Sequence, residues 1–430
     1  MTYLECIHRI EEKNALGSRP GLSTIREMLK RLGNPERGIP AVQIAGTNGK
    51  GSILAYTESI LTEAGVKTGR YVSPAVFDYR EKFLVGGTPV SVECAADALG
   101  RALTVSDEMV RDGLPEPTAF ETETAAAFLI FRMADCRVLL VECGMGGALD
   151  ATNVFDENKL SVLASVSLDH LGILGNTAAE IADTKLGITR PGETLIVFPE
   201  QEDAVTEVIR KWVRKNNLTL ITPDPVYLRI IRETAEESCF LYLGNPYTLQ
   251  LPGRHQILNA ITAIEICLHL DSIGLDIPTE KNLADGLANT RWPGRWTVLK
   301  RNPYLILDGA HNEKAWLVLA DNIRRLFPEK KIYFLTGVFR DKEYNKMTEI
   351  LSPLICEAAV ITTPGPRGLP AEQLAECFRE KGVPAASFRE YKDALHALER
   401  KAGAEDVILV SGSLSFLGEI LRLSGYGESK

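Results

Sequence analysis

The chain has 430 residues, 45% of them hydrophobic and 24% charged, and carries a formal net charge of −9. Cores stop growing near roughly 250 to 300 residues, so this length excludes a single ordinary domain. The acidic balance, with no Lys/Arg run, excludes a nucleic-acid partner, and the ordinary composition excludes a disordered or fibrous class.

In chain order, Met1 to Asn14 mixes charged and polar residues where a leader needs an apolar stretch of roughly 7 to 15 residues. No later segment is apolar enough to span a bilayer, so a cytoplasmic protein with no membrane partner is expected. Ala41–Ala45 reads as a buried strand and Ser52–Ala64 as a helix stopped at Gly65. The glycine-rich stretch Gly46-Thr-Asn-Gly-Lys-Gly-Ser52 therefore joins a strand to a helix. Glycines there let backbone N–H groups converge on phosphate oxygens, the helix start adds partial positive charge, and Lys50 reaches terminal phosphates. As a loop lysine, Lys50 is expected to be exposed. The general pattern G-x-x-x-x-G-K-[ST] is met imperfectly, because Ile44 stands at its first Gly and Gly51 separates Lys50 from Ser52.

Arg137–Val141 reads as a strand that delivers Glu142 at its carboxyl end, where a carboxylate suits magnesium. Ser161–Ser167 reads as another, delivering Asp169 and His170 at the same end, and Thr194–Val197 as a third. Val226–Leu251, rich in β-formers with a turn at Gly244–Pro246, reads as antiparallel hairpins forming an insertion or edge. Beyond Arg291-Trp-Pro-Gly-Arg295 the alternation starts afresh, with strands at Tyr304–Leu307, Ile332–Thr336, Ala358–Thr363 and Asp406–Val410. The expected fold class is α/β: an N-terminal P-loop-type, mainly parallel sheet domain over residues 1–296, plus a smaller Rossmann-like α/β domain over residues 297–430. The eight cysteines show no CxxC pair and read as reduced structural thiols. Of six histidines, His8, His269 and His396 lie on helical segments, whereas His170, His255 and His311 sit near segment ends and are the functional candidates.

Taken together, these residues resemble the folylpolyglutamate synthase and dihydrofolate synthase family within the Mur-type ligases. The resemblance spans nearly the whole chain. It is carried by Gly46–Ser52, Ser73-Pro74, Thr118-Ala-Phe-Glu121, Val141-Glu142, Leu149-Asp-Ala-Thr-Asn153, Leu168-Asp-His170, Lys185-Leu-Gly-Ile188, His255-Gln256 with Asn259, Trp292-Pro-Gly-Arg295, Asp308-Gly-Ala-His-Asn312 and Asp341-Lys342. It implies the Mur ligase fold and an ATP-dependent ligase of folate metabolism that adds L-glutamate to folates through an acyl phosphate. Asn48, Gly49, Lys50, Gly51 and Ser52 would hold ATP phosphates, with Asn259, Arg295 and Asp308 as further ATP contacts. Ser73, Glu142 and His170 would hold Mg²⁺. Lys185 matches the lysine this family carbamylates. Thr118, Ala119, Phe120, Glu121, Leu149, Asp150 and Ala151 match segments that contact the pterin substrate, with folate or dihydropteroate as acceptor. His311 and Ser413 are candidates for holding the incoming glutamate, His311 also as a catalytic group with Lys50, His170 and Lys185. ATP is expected in a cleft that domain closure completes, and a monomer is expected.

Three positions depart from the family pattern: Ala75 where His is usual, Ala148 where Arg is usual, and Glu313 where Pro is usual. Two lie beside metal or pterin segments and remove hydrogen-bond donors. A related Mur-type amide ligase with a different acceptor or amino acid is therefore the alternative. A P-loop NTPase without amide formation needs only Lys50 and Glu142 but leaves the second domain unexplained, and a non-catalytic nucleotide module does not require Lys50, Glu142, His170 and Lys185 together.

Overall fold

The structure is a computed structural model and describes residues 1–157, 159–169 and 172–424. The chain forms two compact units. One comprises Met1–Arg229, Leu241–Thr248 and Gln256–Thr290; the other comprises Ile230–Phe240, Leu249–His255 and the chain from Arg291 onward. The expected division after Trp296 thus falls inside the second unit. Trp296 shows why: its ring is 2% exposed, stacks on Phe327 at 6.2 Å, and its Nε1 donates to Ala235 O at 2.9 Å. One core therefore takes Trp296 together with part of the hairpin segment.

In the first unit the strands are β1 (Ala41–Ala45), β2 (Thr68–Tyr71), β3 (Phe83–Val85), β4 (Thr88–Pro89), β5 (Val138–Glu142), β6 (Lys159–Leu163), β7 (Thr194–Val197) and β8 (Thr219–Ile221). They form a sheet in the order β4-β3-β2-β5-β1-β6-β7-β8. From β2 to β8 the neighbours run parallel, while β3 and β4 add an antiparallel edge. The central strands β1, β5 and β6 are buried along their whole length, as a parallel sheet covered on both faces requires. Helix Lys50–Glu63 follows β1 and is buried nearly all round. The amphipathic helix Val92–Arg111 and the apolar helix Ala119–Met133 pack Leu99, Leu103, Phe128 and Phe131 into the core that carries Leu139 and Val141 of β5.

β1 lies between β5 and β6, both later in the chain, so connections diverge to either side of it. That arrangement makes a topological switch point at its carboxyl end, where open α/β sheets bind ligands. The hairpin segment forms β9 (Leu228–Glu233), β10 (Ser238–Tyr242) and β11 (Asn245–Leu249), a separate three-stranded sheet in the order β11-β10-β9.

In the second unit, β12 (Thr297–Arg301), β13 (Tyr304–Leu307), β14 (Ile332–Thr336), β15 (Glu357–Ile361), β16 (Ala385–Phe388) and β17 (Val407–Ser411) form a sheet in the order β12-β13-β17-β14-β15-β16. All its pairs are parallel except β12 with β13. Among the described residues no helix is long and apolar enough to cross a membrane, and all eight cysteines are free thiols.

Candidate active site

The loop after β1 is held open from one side. Thr47 N and Asn48 N both donate to Ser165 O, at 2.8 and 3.2 Å, and Thr47 Oγ1 donates to Ser167 O at 3.0 Å. These bonds pin the loop to the chain beyond β6, and β6 stops at Leu163 rather than running on to Ser167 as its sequence predicts. From Ser165 on, the backbone serves the loop instead of the sheet. Gly49 then starts the helix with φ at 89°, and a Cβ on it would lie 2.6 Å from Asn259 Oδ1. Only glycine satisfies both conditions. The structure thus brings Asn259 against the loop.

Lys50 is the first residue of the helix and differs from the exposed loop lysine expected of it. Its side chain is 16% exposed, its Nζ donates to Gly46 O at 3.1 Å and Thr47 O at 3.3 Å, and it lies 3.5 Å from Glu142 Oε1. The ammonium is folded back over its own loop beside a carboxylate. Ser52 is buried, and Gln256 Nε2 donates to its Oγ at 3.4 Å while Asn259 Nδ2 donates to Gln256 Oε1 at 3.3 Å. Gln256 had no assigned role; its three-residue spacing from Asn259 on one helix face is the signal that marks it.

Strand register sets the acidic side. Ile44 pairs with Glu142 and Tyr71 with Val141, so the loop after β1, Glu142 and Ser73 emerge side by side at one sheet end. Glu142 and Ser73 offer hard oxygen donors, the donor type magnesium takes alongside phosphates and waters. Among the described residues no three His, Cys, Asp or Glu side chains gather into a metal cage. His170 lies outside the described residues.

Lys185, near the end of helix Ala178–Leu186, is 6% exposed. Burial, and then the positive charge of Lys50, hold its amine down to about 8. A cation so placed sheds its proton readily.

The acceptor segments are shaped by their own hydrogen bonds. Thr118 caps helix Ala119–Met133: its Oγ1 accepts from Glu121 N at 3.2 Å, while Glu121 Oε2 accepts from Thr118 N at 2.9 Å and from Thr118 Oγ1 at 2.8 Å. Both are buried, so this capping box positions Phe120 and Ala119. Phe120 stacks on Tyr71 at 6.0 Å and lies against Gly144 after β5. Asp150 is also buried: Oδ2 accepts from Met145 N at 2.7 Å, and Oδ1 from Thr152 N at 3.0 Å and Thr152 Oγ1 at 2.6 Å. Ala151 is buried beside it, whereas Leu149 is 56% exposed.

In the second unit, Asp308 follows β13 directly and is nearly buried, accepting from Trp296 N at 2.9 Å and Ala310 N at 2.8 Å. Burial pushes its carboxyl up, opposed by Arg295, whose guanidinium lies against Gly309. His311 Nδ1 meets Gly309 O at 2.8 Å, and Ser413 is buried with its Oγ 2.8 Å from Ser415 Oγ. His311 and Ser413 follow β13 and β17, which are paired in parallel, at the same sheet end. His255 is drawn down to about 4 by burial and by Arg325 and Arg295.

Two family models match the chain: the Mur ligase middle domain over residues 44–267 and the Mur ligase glutamate ligase domain over residues 294–414. The chain is 31% identical to the dihydrofolate synthase/folylpolyglutamate synthase of Bacillus subtilis, over 94% of this chain and 95% of that one. It superposes on Escherichia coli FolC in complex with DHPP and ADP with a TM-score of 0.84, at 28% identity over 99% and 98% of the two chains. It also superposes on a bifunctional folylpolyglutamate synthase/dihydrofolate synthase with Mn, AMPPNP and L-glutamate bound, with a TM-score of 0.82 at 27% identity and 98% coverage of each. The strand-loop-helix at Gly46–Ser52, the carboxylate beside it and the second α/β unit are thus those of a known ligase architecture, and the chain belongs to the dihydrofolate synthase/folylpolyglutamate synthase family of Mur ligases.

Proposed function

We infer that the protein is an ATP-dependent ligase that joins L-glutamate to a folate, acting on tetrahydrofolate, dihydropteroate or both. The observation that carries this is the placing of Lys50, Glu142 and the glycine-rich loop together at the switch point of the parallel sheet, in a chain of this family. Relatives with ADP and DHPP, or with Mn, AMPPNP and L-glutamate, support ATP, a divalent metal, a folate-type acceptor and glutamate as the ligands.

The chemistry follows from the leaving group. A carboxylate resists attack by an amine because oxide is a poor leaving group. Transfer of the γ-phosphoryl group of ATP to the acceptor carboxylate gives an acyl phosphate and ADP; the glutamate amine then attacks its carbonyl, and phosphate departs. Lys50 and the N–H groups of the loop would neutralise the charge gathering on the transferring group, usually the main contribution in such reactions. Glu142 and Ser73, with His170, would hold Mg²⁺, which supplies charge neutralisation at the phosphates when bound. Ser52, Asn48, Gly51 and Asn259 complete the nucleotide set in the first unit; Arg295 and Asp308 are assigned to the nucleotide by family resemblance. His311 and Ser413 would bind glutamate. A carbamylated Lys185 would replace a cation by an anion beside the metal residues. We take the first unit as the ATP-binding domain, the second unit as the ligase domain, and the enzyme as a cytoplasmic monomer.

The test is direct. The protein is incubated with ATP, Mg²⁺ and glutamate plus either dihydropteroate or tetrahydrofolate, and ADP and product mass are followed. A glutamate-dependent mass gain is expected; none with either acceptor overturns the assignment and leaves a Mur-type ligase with another acceptor.

A further inference from the structure

Beneath the site runs a line of buried polar side chains that no step above uses. Lys159 opens β6 and is 5% exposed, while Gln43 of β1, Ser161 of β6 and Thr152 are fully buried. The β1–β6 register pairs Ala41 with Lys159 and Gln43 with Ser161, so Gln43, Lys159 and Ser161 face the same side of the sheet. Lys159 Nζ donates to Gln43 Oε1 at 3.3 Å, Gln43 Nε2 donates to Thr152 Oγ1 at 3.1 Å, and Thr152 Oγ1 donates to Asp150 Oδ1 at 2.6 Å. Asp150 Oδ2 in turn accepts from Met145 N at 2.7 Å.

The line has one sense. An ammonium only donates and a carboxylate only accepts, so the amide of Gln43 and the hydroxyl of Thr152 are each left with a single orientation. A cation at one end and an anion at the other also polarise the bonds between them in the same direction. Lys159 has further grips: it donates to Ser161 Oγ at 3.1 Å and to Ile188 O, and it lies 3.7 Å from Glu193 Oε1. Ile188 is three residues beyond Lys185. Asn153 Nδ2 bridges the same two segments, donating to Ala148 O and Gly187 O at 3.2 Å each, and Gly187 lies so close that a Cβ on it would be 2.7 Å from Ala148 Cβ.

We propose that Lys159 is a positioning residue for the acceptor site, acting through Gln43 and Thr152 to fix Asp150 and the Gly144–Ala151 segment, and through Ile188 to hold that segment in register with Lys185. It touches no substrate itself. This rests on the assignment of Leu149–Ala151 to the acceptor.

Thr152→Val removes the relay hydroxyl at nearly constant volume, and Thr152→Ser restores it. Two readouts are taken on the full-length protein: hydrogen exchange of peptides covering residues 144–153, and KM for dihydropteroate, ATP and glutamate. Thr152→Val and Lys159→Met are expected to raise exchange in that segment and to raise the dihydropteroate KM about tenfold, with kcat and the ATP KM within twofold of wild type. Thr152→Ser is expected to match wild type, and Thr152→Val with Lys159→Met to be no worse than the more affected single variant. Unchanged exchange in Thr152→Val overturns the relay, as does an equal rise in all three KM values. Raised exchange in a protein whose wild type never turns over dihydropteroate or tetrahydrofolate supports the relay and sinks the acceptor assignment instead.

Discussion

The ammonium of Lys50 lies 3.5 Å from Oε1 of Glu142, with both side chains largely withdrawn from water. In this arrangement the lysine is stored against a carboxylate and two loop carbonyls, and phosphate oxygens are the competing partners that would draw it away. Lys50→Ala is therefore expected to reduce turnover at least about a hundredfold, in line with loss of one transition-state charge partner. Losing the bonds to Gly46 O and Thr47 O should cost only about 1 kcal/mol of stability. Steady-state kinetics and urea unfolding read the two effects separately. A variant that unfolds in buffer would contradict this placement of Lys50.

Gly49 carries the steepest steric constraint in the loop. At φ 89° a side chain is already strained, and a Cβ would be 2.6 Å from Asn259 Oδ1. Gly49→Ala should cost about 1 to 3 kcal/mol and displace Asn259. An ATP KM raised more than the acceptor KM is the expected kinetic result, and equal changes in both would argue against nucleotide contact by Asn259.

How far the sequence reveals this protein depends on burial. β1, β7, β13 and β14 match their predicted spans because each is a short apolar run ended by glycine or polar residues. β2, β3, β4, β8, β12 and β16 have no counterpart among the strands read from sequence: β4, β8, β12 and β16 are edges, and all six are short or carry polar residues, so their pairing depends on neighbours distant in sequence. In the site, the loop and Glu142 are legible because glycine spacing and strand ends are local features, whereas Asn259, inside helix Arg254–Leu268, is reached only through the family resemblance. Lys159 is not. A lysine at a strand start reads as solvated, and only the β1–β6 register shows it buried over Gln43. Asp150 is legible as a motif residue, but its bonds to Met145 N and Thr152 show that it also builds the loop that carries it.

The pair Arg70 and Glu58, 3.1 Å apart, is almost fully buried. Burial moves both against ionisation, raising Glu58 and lowering Arg70, and their mutual attraction only opposes it. Desolvation thus outweighs pairing. Glu58→Ala, which removes the carboxylate 3.1 Å from the buried guanidinium and also deprives Gly87 N of its acceptor, should cost about 3 to 5 kcal/mol. Glu58→Leu with Arg70→Met should cost less than that single change. A double-mutant cycle by denaturant unfolding checks the order, and a double variant weaker than Glu58→Ala would refute it.

Lys185 gives a pH dependence of stability. Its amine, ordinarily near 10.5, is held to about 8 by burial and by Lys50. Between those values the unfolded chain binds the proton and the folded chain does not, so this group makes stability rise with pH from about 8 to 10.5. Below pH 8 the full penalty is present, about 3 kcal/mol by the size of the shift. In CO₂-free buffer Lys185→Met should therefore be more stable than wild type at pH 7, with the advantage fading toward pH 10.5, while its turnover falls. The same depression favours carbamylation, because only the neutral amine attacks CO₂: at pH 7 about a tenth of such an amine is neutral, against well under a thousandth of an ordinary lysine. With ¹³C-bicarbonate at pH 8, wild type should show a carbamate carbon resonance that Lys185→Met lacks. Equal spectra for the two proteins would remove carbamylation at this residue from the account, and a Lys185→Met variant less stable than wild type at pH 7 would show that the buried amine is held by contacts worth more than its desolvation.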